Sequence, residues 1–180
     1  PRRSSDLASI EQPDLETEET GSLHQRLDER GSRLKVMYTN SSAEYHRADA
    51  SLLHTDPDGR MDIEQGKNVR VFHFAGTEHG TGVWPPTDHG VIVTGAERAQ
   101  NIRSVIDYSP LLRACLVNLD LWVTEGIDPP KSKHPRIDDG TLVPTSDLIS
   151  IFSSIPGSNY PYRHAIPRRQ IGRAWCRERV

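Results

Sequence analysis

Two short runs of apolar residues predict β-strands in the first half of the chain. The run from Val69 to Phe74 is rich in β-branched and aromatic residues, and Leu34 to Thr39 is a second run of the same kind. Before the second run, Ser22 and Gln25 have the spacing of a capping box, which predicts a short helix that ends at Gly31. A helix that leads into one strand, with a further strand later, is typical of a parallel α/β sheet.

The strongest helical periodicity lies between Asp107 and Gly126. Ser109 is the expected N-cap, Pro110 the expected first helical residue, and Gly126 the expected end of the helix. An apolar stripe at helical spacing predicts the face that packs against the sheet. Its members are Leu112, Cys115, Leu116, Leu119, Trp122 and Val123. Cys115 is therefore interpreted as a core residue rather than a nucleophile.

Three parts of the chain lack apolar periodicity. Residues 1–20 are polar and are expected to form a disordered lead-in, and residues 128–136 are expected to be extended over the surface because prolines disfavour helix and sheet. Residues 169–180 resemble the translated read-through of a sequencing-library adapter; the alternative is a basic tail that binds an acidic partner. We therefore expect a partial α/β domain at 21–160 and a non-native or disordered tail at 161–180.

Composition excludes some function classes without selecting one. The 180 residues carry a formal net charge of −3, which gives no reason to expect a nucleic-acid or anionic-membrane partner. No apolar run approaches the roughly 18 residues that a membrane span needs. The two cysteines, Cys115 and Cys176, form neither a disulfide framework nor a metal-binding pattern. The chain begins at Pro1 rather than Met, so its N-terminus indicates no cellular compartment.

A histidine follows the predicted strand 69–74. The loop Thr77-Glu78-His79 is flanked by glycines, which permit a sharp turn and keep the imidazole accessible. Open α/β sheets place their working groups at this carboxyl edge of the strands. His79 is therefore a candidate catalytic residue, and a solvated loop histidine is the alternative.

Glu44 occupies the corresponding place after the other predicted strand, in the segment 40–45, which is interpreted as a loop. Because loops after parallel strands open at the same edge, we expect Glu44 and His79 to meet. A carboxylate bound to one ring nitrogen fixes the tautomer of the imidazole and stabilises the imidazolium formed in catalysis. The alternative makes Glu44 a first-turn helix residue favoured by the macrodipole. Other candidate carboxylates are Asp49, Glu78, Asp56 and Asp58, the last two in a turn sequence that they are expected to serve.

Histidines are frequent in this part of the chain and raise the question of a metal. They are His46, His54, His73 and His79. None has a partner four residues away in a plausible helix, and no cysteines lie near them, so we expect neither a metal nor another cofactor. His73 lies inside the predicted strand and is interpreted as a packed structural residue.

Several sequence blocks, read in chain order, resemble a known family. They are YTNSSAEY (38–45), SLLHTDPDG (51–59), RVFHFAGTEHG (70–80), SPLLRACLVNLDLWV (109–123), GIDPPKSKHPRIDDGTLVP (126–144) and Ile155-Pro156-Gly157. Together they resemble the C-terminal part of large, largely uncharacterised bacterial α/β-hydrolase-domain proteins that carry an AGTxHG-type histidine motif. The resemblance implies a Ser–acid–His hydrolase acting on a small-molecule carboxylic ester or similar acyl substrate. By position, it makes His79 the general base and Glu44 the acid.

One departure from that pattern determines what the chain is expected to do. An α/β-hydrolase needs a nucleophile elbow, G-x-S-x-G, before the acid, and no serine ahead of Glu44 lies in such a turn. Without a nucleophile, His79 has no hydroxyl to deprotonate. We therefore expect a fragment of a serine-dependent hydrolase that is inactive alone. The alternative is a non-catalytic binding or scaffold module in which His79 only forms a hydrogen bond; the sequence predicts no oligomeric state.

Overall fold

The described part of the chain is an α/β arrangement built on a small parallel sheet. A computed structural model describes residues 12–13, 20–46, 53, 55–56, 59–88 and 101–160. The strands are β1 (Gln12–Pro13), β2 (Thr20–Gly21), β3 (Val36–Ser41) and β4 (Val69–Phe74). The helices are α1 (Leu23–Glu29), α2 (Ser42–His46), α3 (Ser109–Thr124) and α4 (Ile149–Ser154), with a short 3-10 helix at Thr145–Leu148. None of the described helices is long and apolar enough to cross a membrane.

The central sheet pairs β3 with β4 in parallel. The ladder runs from Val36 opposite Val69 to Ser41 opposite Phe74. The predicted strand at 69–74 is confirmed, and its alternate residues Val69 and Val71 are buried in the core. The other predicted strand begins two residues later than expected. Its ladder starts where the amide of Val36 donates to the carbonyl of Asn68 (2.9 Å), and it ends at Ser41, so the interpretation of Asn40 and Ser41 as loop was wrong.

A third chain segment joins the free edge of β4. Lys133 forms a parallel bridge with Phe72, donating its amide to the carbonyl of Val71 (2.8 Å) and accepting from the amide of His73 (2.7 Å). The prediction that residues 128–136 are too proline-rich for a sheet was therefore wrong at this position. Lys133 is not a proline, so its backbone has both an amide donor and a carbonyl acceptor, and these suffice for one bridge to β4.

The helix before β3 forms as predicted, although only one of the two hydrogen bonds of its capping box is present among the described residues. Ser22 Oγ accepts from the amide of Gln25 (3.1 Å), and Gly31 lies in the left-handed region with φ of 66°. The reciprocal bond of the capping box is absent from the described structure, where Gln25 Oε1 is buried without a partner.

Helix α3 begins at Ser109, with Tyr108 as its N-cap. The prediction that Ser109 caps the helix was wrong, because Asp107 accepts from the Ser109 amide (2.9 Å) and Ser109 already belongs to the first turn. Gly126, with φ of 71°, follows the helix as expected. On the predicted stripe, Trp122 is buried with 2 % of its surface exposed, whereas Leu116 is 66 % exposed and Val123 is also exposed. These two residues do not contribute to the core as the stripe predicted.

The predicted terminal regions fall largely outside the described residues. Within residues 1–20, the structure describes only 12, 13 and 20, which belong to the antiparallel pair β1–β2, so the disordered lead-in stays a prediction. The predicted tail at 161–180 lies outside the described residues.

Candidate active site

Two turns meet at the carboxyl end of the parallel strands. Strand β3 runs directly into helix α2, and β4 ends in a turn in which Gly76 has a φ of 73°, a conformation that favours glycine. The amide of Gly76 donates to Ser42 Oγ (2.8 Å), which ties the second turn to the start of α2. The sheet and this bond together determine the position of the residues that follow each strand.

The structure brings Glu44 and His79 together. His79 Nδ1 lies 2.5 Å from Glu44 Oε1, although the residues are 35 positions apart in the chain. Glu44 belongs to the first turn of α2, so the helical interpretation describes its backbone while its side chain still reaches the histidine. The carboxylate side chain is 17 % exposed, whereas the side chain of His79 is 72 % exposed. A largely enclosed acid therefore holds an open imidazole.

The surroundings of Glu44 keep it ionised. The amide of Ser41 donates to Glu44 Oε2 (2.6 Å), and the Ser41 hydroxyl donates to the same oxygen. Burial alone raises the pKa of this carboxyl, but the hydrogen bonds from His79 and Ser41 outweigh burial and lower its pKa to about 2. An ionised carboxylate only accepts, so Nδ1 of His79 must donate the hydrogen bond. The other ring nitrogen, Nε2, is then the basic one in the neutral imidazole.

Tyr108 anchors the backbone of the histidine loop. Its hydroxyl donates to the carbonyl of His79 (2.7 Å), and its ring packs against that of Phe74 with centroids 5.7 Å apart. Burial, followed by the charge of Glu44, raises the pKa of the Tyr108 hydroxyl, so it remains a donor. The buried hydroxyl of Thr77 donates to the carbonyl of Phe74 (2.5 Å) and closes the turn. Sequence reasoning missed Tyr108, because nothing in the local pattern connects it with a loop 29 residues earlier.

The other candidate carboxylates are engaged elsewhere or lie outside the described residues. Glu78 accepts from Arg103 Nε (2.7 Å) and from the amide of Ser104 (2.9 Å). Asp56 accepts from the amides of residues 60 (2.6 Å) and 61 (3.0 Å), and so serves its own turn as predicted. Asp49 and Asp58 lie outside the described residues.

Of the four histidines between positions 46 and 79, the structure describes the side chains of His73 and His79, and these have different partners. His73 packs its ring against that of Tyr45, with centroids 4.2 Å apart, as the structural interpretation expected. His54 lies outside the described residues. Within the described ranges, no group of three or more His, Cys, Asp or Glu residues is arranged to hold a metal ion.

No described serine occupies the position of a nucleophile beside His79. The nearby hydroxyl of Ser41 is bound to Glu44, and that of Ser42 accepts from the Gly76 amide. In the part of the chain that the structure describes, the His79 ring makes a hydrogen bond to Glu44 and to no hydroxyl. Among the described residues, the site thus contains an imidazole oriented by a carboxylate and no hydroxyl bound to its ring.

Comparison with known proteins relates the chain to a protein family. The family described as "Alpha/beta hydrolase domain" matches residues 4–154, which is most of the chain. No curated protein and no solved structure matches it.

Proposed function

The chain belongs to the alpha/beta hydrolase domain family, and we propose that it supplies the acid–histidine pair of a serine-type acyl hydrolase. The substrate class is a small carboxylic ester or a related acyl compound. The nucleophile comes from a G-x-S-x-G turn that the sequence lacks. The 180-residue chain is therefore inactive by itself, and the active protein is a longer one.

One observation carries this proposal: His79 Nδ1 is held by an ionised carboxylate while the rest of the ring remains open. The contact measures 2.5 Å, and the imidazole side chain is 72 % exposed. This arrangement presents Nε2 as an acceptor for the proton of an incoming hydroxyl. The carboxylate of Glu44 then stabilises the imidazolium that forms.

The mechanism follows from these roles. As the serine oxygen bonds to the acyl carbon, its proton passes to Nε2 of His79, and the carbonyl electrons move onto oxygen. When the tetrahedral intermediate collapses, the imidazolium returns that proton to the departing alkoxide. Water attacks the acyl-enzyme with the same help, releasing the carboxylic acid and restoring the serine. Throughout the reaction, the carboxylate of Glu44 remains ionised and accepts a hydrogen bond from the Nδ1–H group of His79.

The test uses the complete reading frame, with its nucleophile elbow, on short p-nitrophenyl esters. The His79→Ala variant should lose activity by a factor of about 10² to 10⁴, because general-base catalysis typically contributes that much. His134→Ala is the matched control, because the ring of this histidine contacts the carbonyl of Pro135 and not the acid–histidine pair. It should retain the wild-type rate.

Two outcomes would contradict the proposal. Equal rates for the wild-type protein and His79→Ala would favour the non-catalytic module, in which the histidine only forms a hydrogen bond. Ester hydrolysis above background by the 180-residue chain, lost in His79→Ala, would show that the nucleophile lies within this sequence.

A further inference from the structure

A cleft lies at the amino end of the parallel strands, whereas Glu44 and His79 lie at their carboxyl end. It has a volume of about 490 Å³, which is in the range of small-molecule sites. Lys35, directly before β3, and Val69, the first residue of β4, both line it. Because six strand residues separate the two ends, the cleft is roughly 20 Å from the acid–histidine pair.

Positive charge dominates the lining of this cleft. Among the described residues, its cationic side chains are Lys35, Lys67, Arg70 and Lys131, and the carboxylate that lines it is Asp128. The chain as a whole carries a net charge of −3, so this excess of cations runs against the overall balance. Cations gathered in a concave site raise the local concentration of anions.

Two of the four cations form the floor of the cleft. Lys35 Nζ lies 4.7 Å and Arg70 Cζ 4.8 Å from the ring centroid of the buried Trp122. Lys35 Nζ also donates to the Trp122 carbonyl (2.7 Å), and Arg70 Nη1 donates to the carbonyl of Val69 (2.8 Å). Carbonyls and a ring face leave the full positive charge of both groups in place. Arg70 Nε is buried without a hydrogen-bond partner among the described residues.

The remaining groups are available to a ligand. Lys67 and Lys131 are exposed, and neither ammonium group takes part in an ion pair within the described ranges. Ser132 Oγ accepts from the amide of Val71 (3.0 Å), which leaves its hydroxyl proton to donate. Asp128 opposes an anion only weakly, because its carboxylate is 77 % exposed and lies 3.9 Å from Arg70 Nη2.

From this arrangement we infer that the cleft is a binding site for a phosphate group, free or esterified. Phosphate carries between one and two negative charges at neutral pH and several acceptor oxygens, which match a guanidinium, ammonium groups and a hydroxyl. The ligand lies beside Lys67, Lys131 and Ser132, above the floor that Lys35 and Arg70 form. Asp128 competes with it for the same positive charge.

The experiment titrates the 180-residue chain with inorganic phosphate and with phenyl phosphate by calorimetry at constant ionic strength. The wild type should show one saturable site. The double variant Lys67→Gln/Lys131→Gln should bind about fivefold to tenfold more weakly, since two exposed charge contacts are removed. Asp128→Asn should bind about twofold to fivefold more tightly, a gain that a purely structural carboxylate would not give.

The matched control removes two positive charges away from the cleft, in Arg60→Gln/Arg113→Gln; both side chains are exposed. It should bind phosphate as the wild type does. Tighter binding of phenyl phosphate identifies an esterified ligand, and equal binding identifies free phosphate; both support the site. The inference fails if the wild type shows no saturable binding, if the control loses as much affinity as the lysine variant, or if Asp128→Asn fails to bind more tightly.

Discussion

The two ends of the β3–β4 pair use charge in opposite ways. At the carboxyl end, the carboxylate of Glu44 is matched by donors from His79 and Ser41. At the amino end, the described lining of the cleft has four cations and one carboxylate, Asp128, which is weakly paired with Arg70. A matched pair orients one proton and suits acid–base chemistry, whereas unmatched charge attracts a counter-ion. On our two proposals, one small sheet carries two chemically distinct sites.

The two ends also differ in what stabilises them. The amino end depends on the packing of Trp122, which is almost wholly buried. The carboxyl end depends on hydrogen bonds that connect two turns, such as the bond from the Gly76 amide to Ser42 Oγ. Loss of packing removes more free energy of unfolding than loss of one hydrogen bond.

Trp122→Ala should have the largest effect. The substitution leaves a cavity beneath Lys35 and Arg70, and it should lower the free energy of unfolding by about 3–5 kcal/mol. Urea titration measures the change. Leu116→Ala on the same helix is the control, because its side chain is largely exposed, and it should change stability by less than about 0.5 kcal/mol. Similar losses for both variants would show that the amino end does not depend on the indole.

Gly82→Ala should destabilise the carboxyl end of the sheet, because the added methyl group would clash with a neighbouring backbone segment. A Cβ at position 82 would lie 2.2 Å from the carbonyl carbon of Val105, while the Gly82 amide donates to the Ile106 carbonyl (3.0 Å). The two backbones must separate, at a cost of about 1–3 kcal/mol. Gly80→Ala, where no atom lies within 4 Å of the added Cβ, is the matched control in thermal unfolding. A stable Gly82→Ala variant would contradict this close approach.

Glu44→Gln should lower the free energy of unfolding by about 1–2 kcal/mol at neutral pH, because the amide cannot replace the charged hydrogen bonds to His79 and Ser41.

The stabilisation by Glu44 should depend on pH with a defined sign. Since folding lowers the pKa of Glu44 from 4.5 to about 2, the native state binds fewer protons than the unfolded state between these values. The stabilisation is complete above pH 4.5 and is lost as the pH falls towards about 2. Urea titrations across this window should show a shallower dependence in Glu44→Gln; parallel curves would contradict the pairing.

Tyr108→Phe should have the smallest effect. It removes the hydroxyl that donates to the His79 carbonyl and keeps the ring packed on Phe74, so the loss should be about 1 kcal/mol. Hydrogen exchange of the amides at 79–82 should increase if this bond holds the loop. Unchanged exchange would show that the loop is held by its other contacts alone.

Sequence reasoning was most successful where the signal was local. The strand 69–74 has an uninterrupted apolar pattern and ends at Ala75-Gly76, so its bounds were predicted correctly. The pairing of Glu44 with His79 followed from the rule that parallel strands open their loops at one edge. Their catalytic roles stay predictions, because no contact with a substrate or nucleophile has been observed.

Features defined by distant partners escaped prediction. The start of β3 at Val36 is set by the Asn68 carbonyl, and the rung at Lys133 exists only because β4 offers a free edge. Neither partner is visible in the local pattern of apolar residues. The same holds for the cationic cleft, whose lysines and arginine are scattered between positions 35 and 131.

The most direct test of the acid–histidine pair is the tautomer of the His79 ring, measured by ¹⁵N-edited NMR. The ring should carry its proton on Nδ1, donated to Glu44, with Nε2 unprotonated. In Glu44→Gln this preference should be lost. A proton found on Nε2 in the wild-type chain, unaffected by Glu44→Gln, would contradict the proposed roles of both residues.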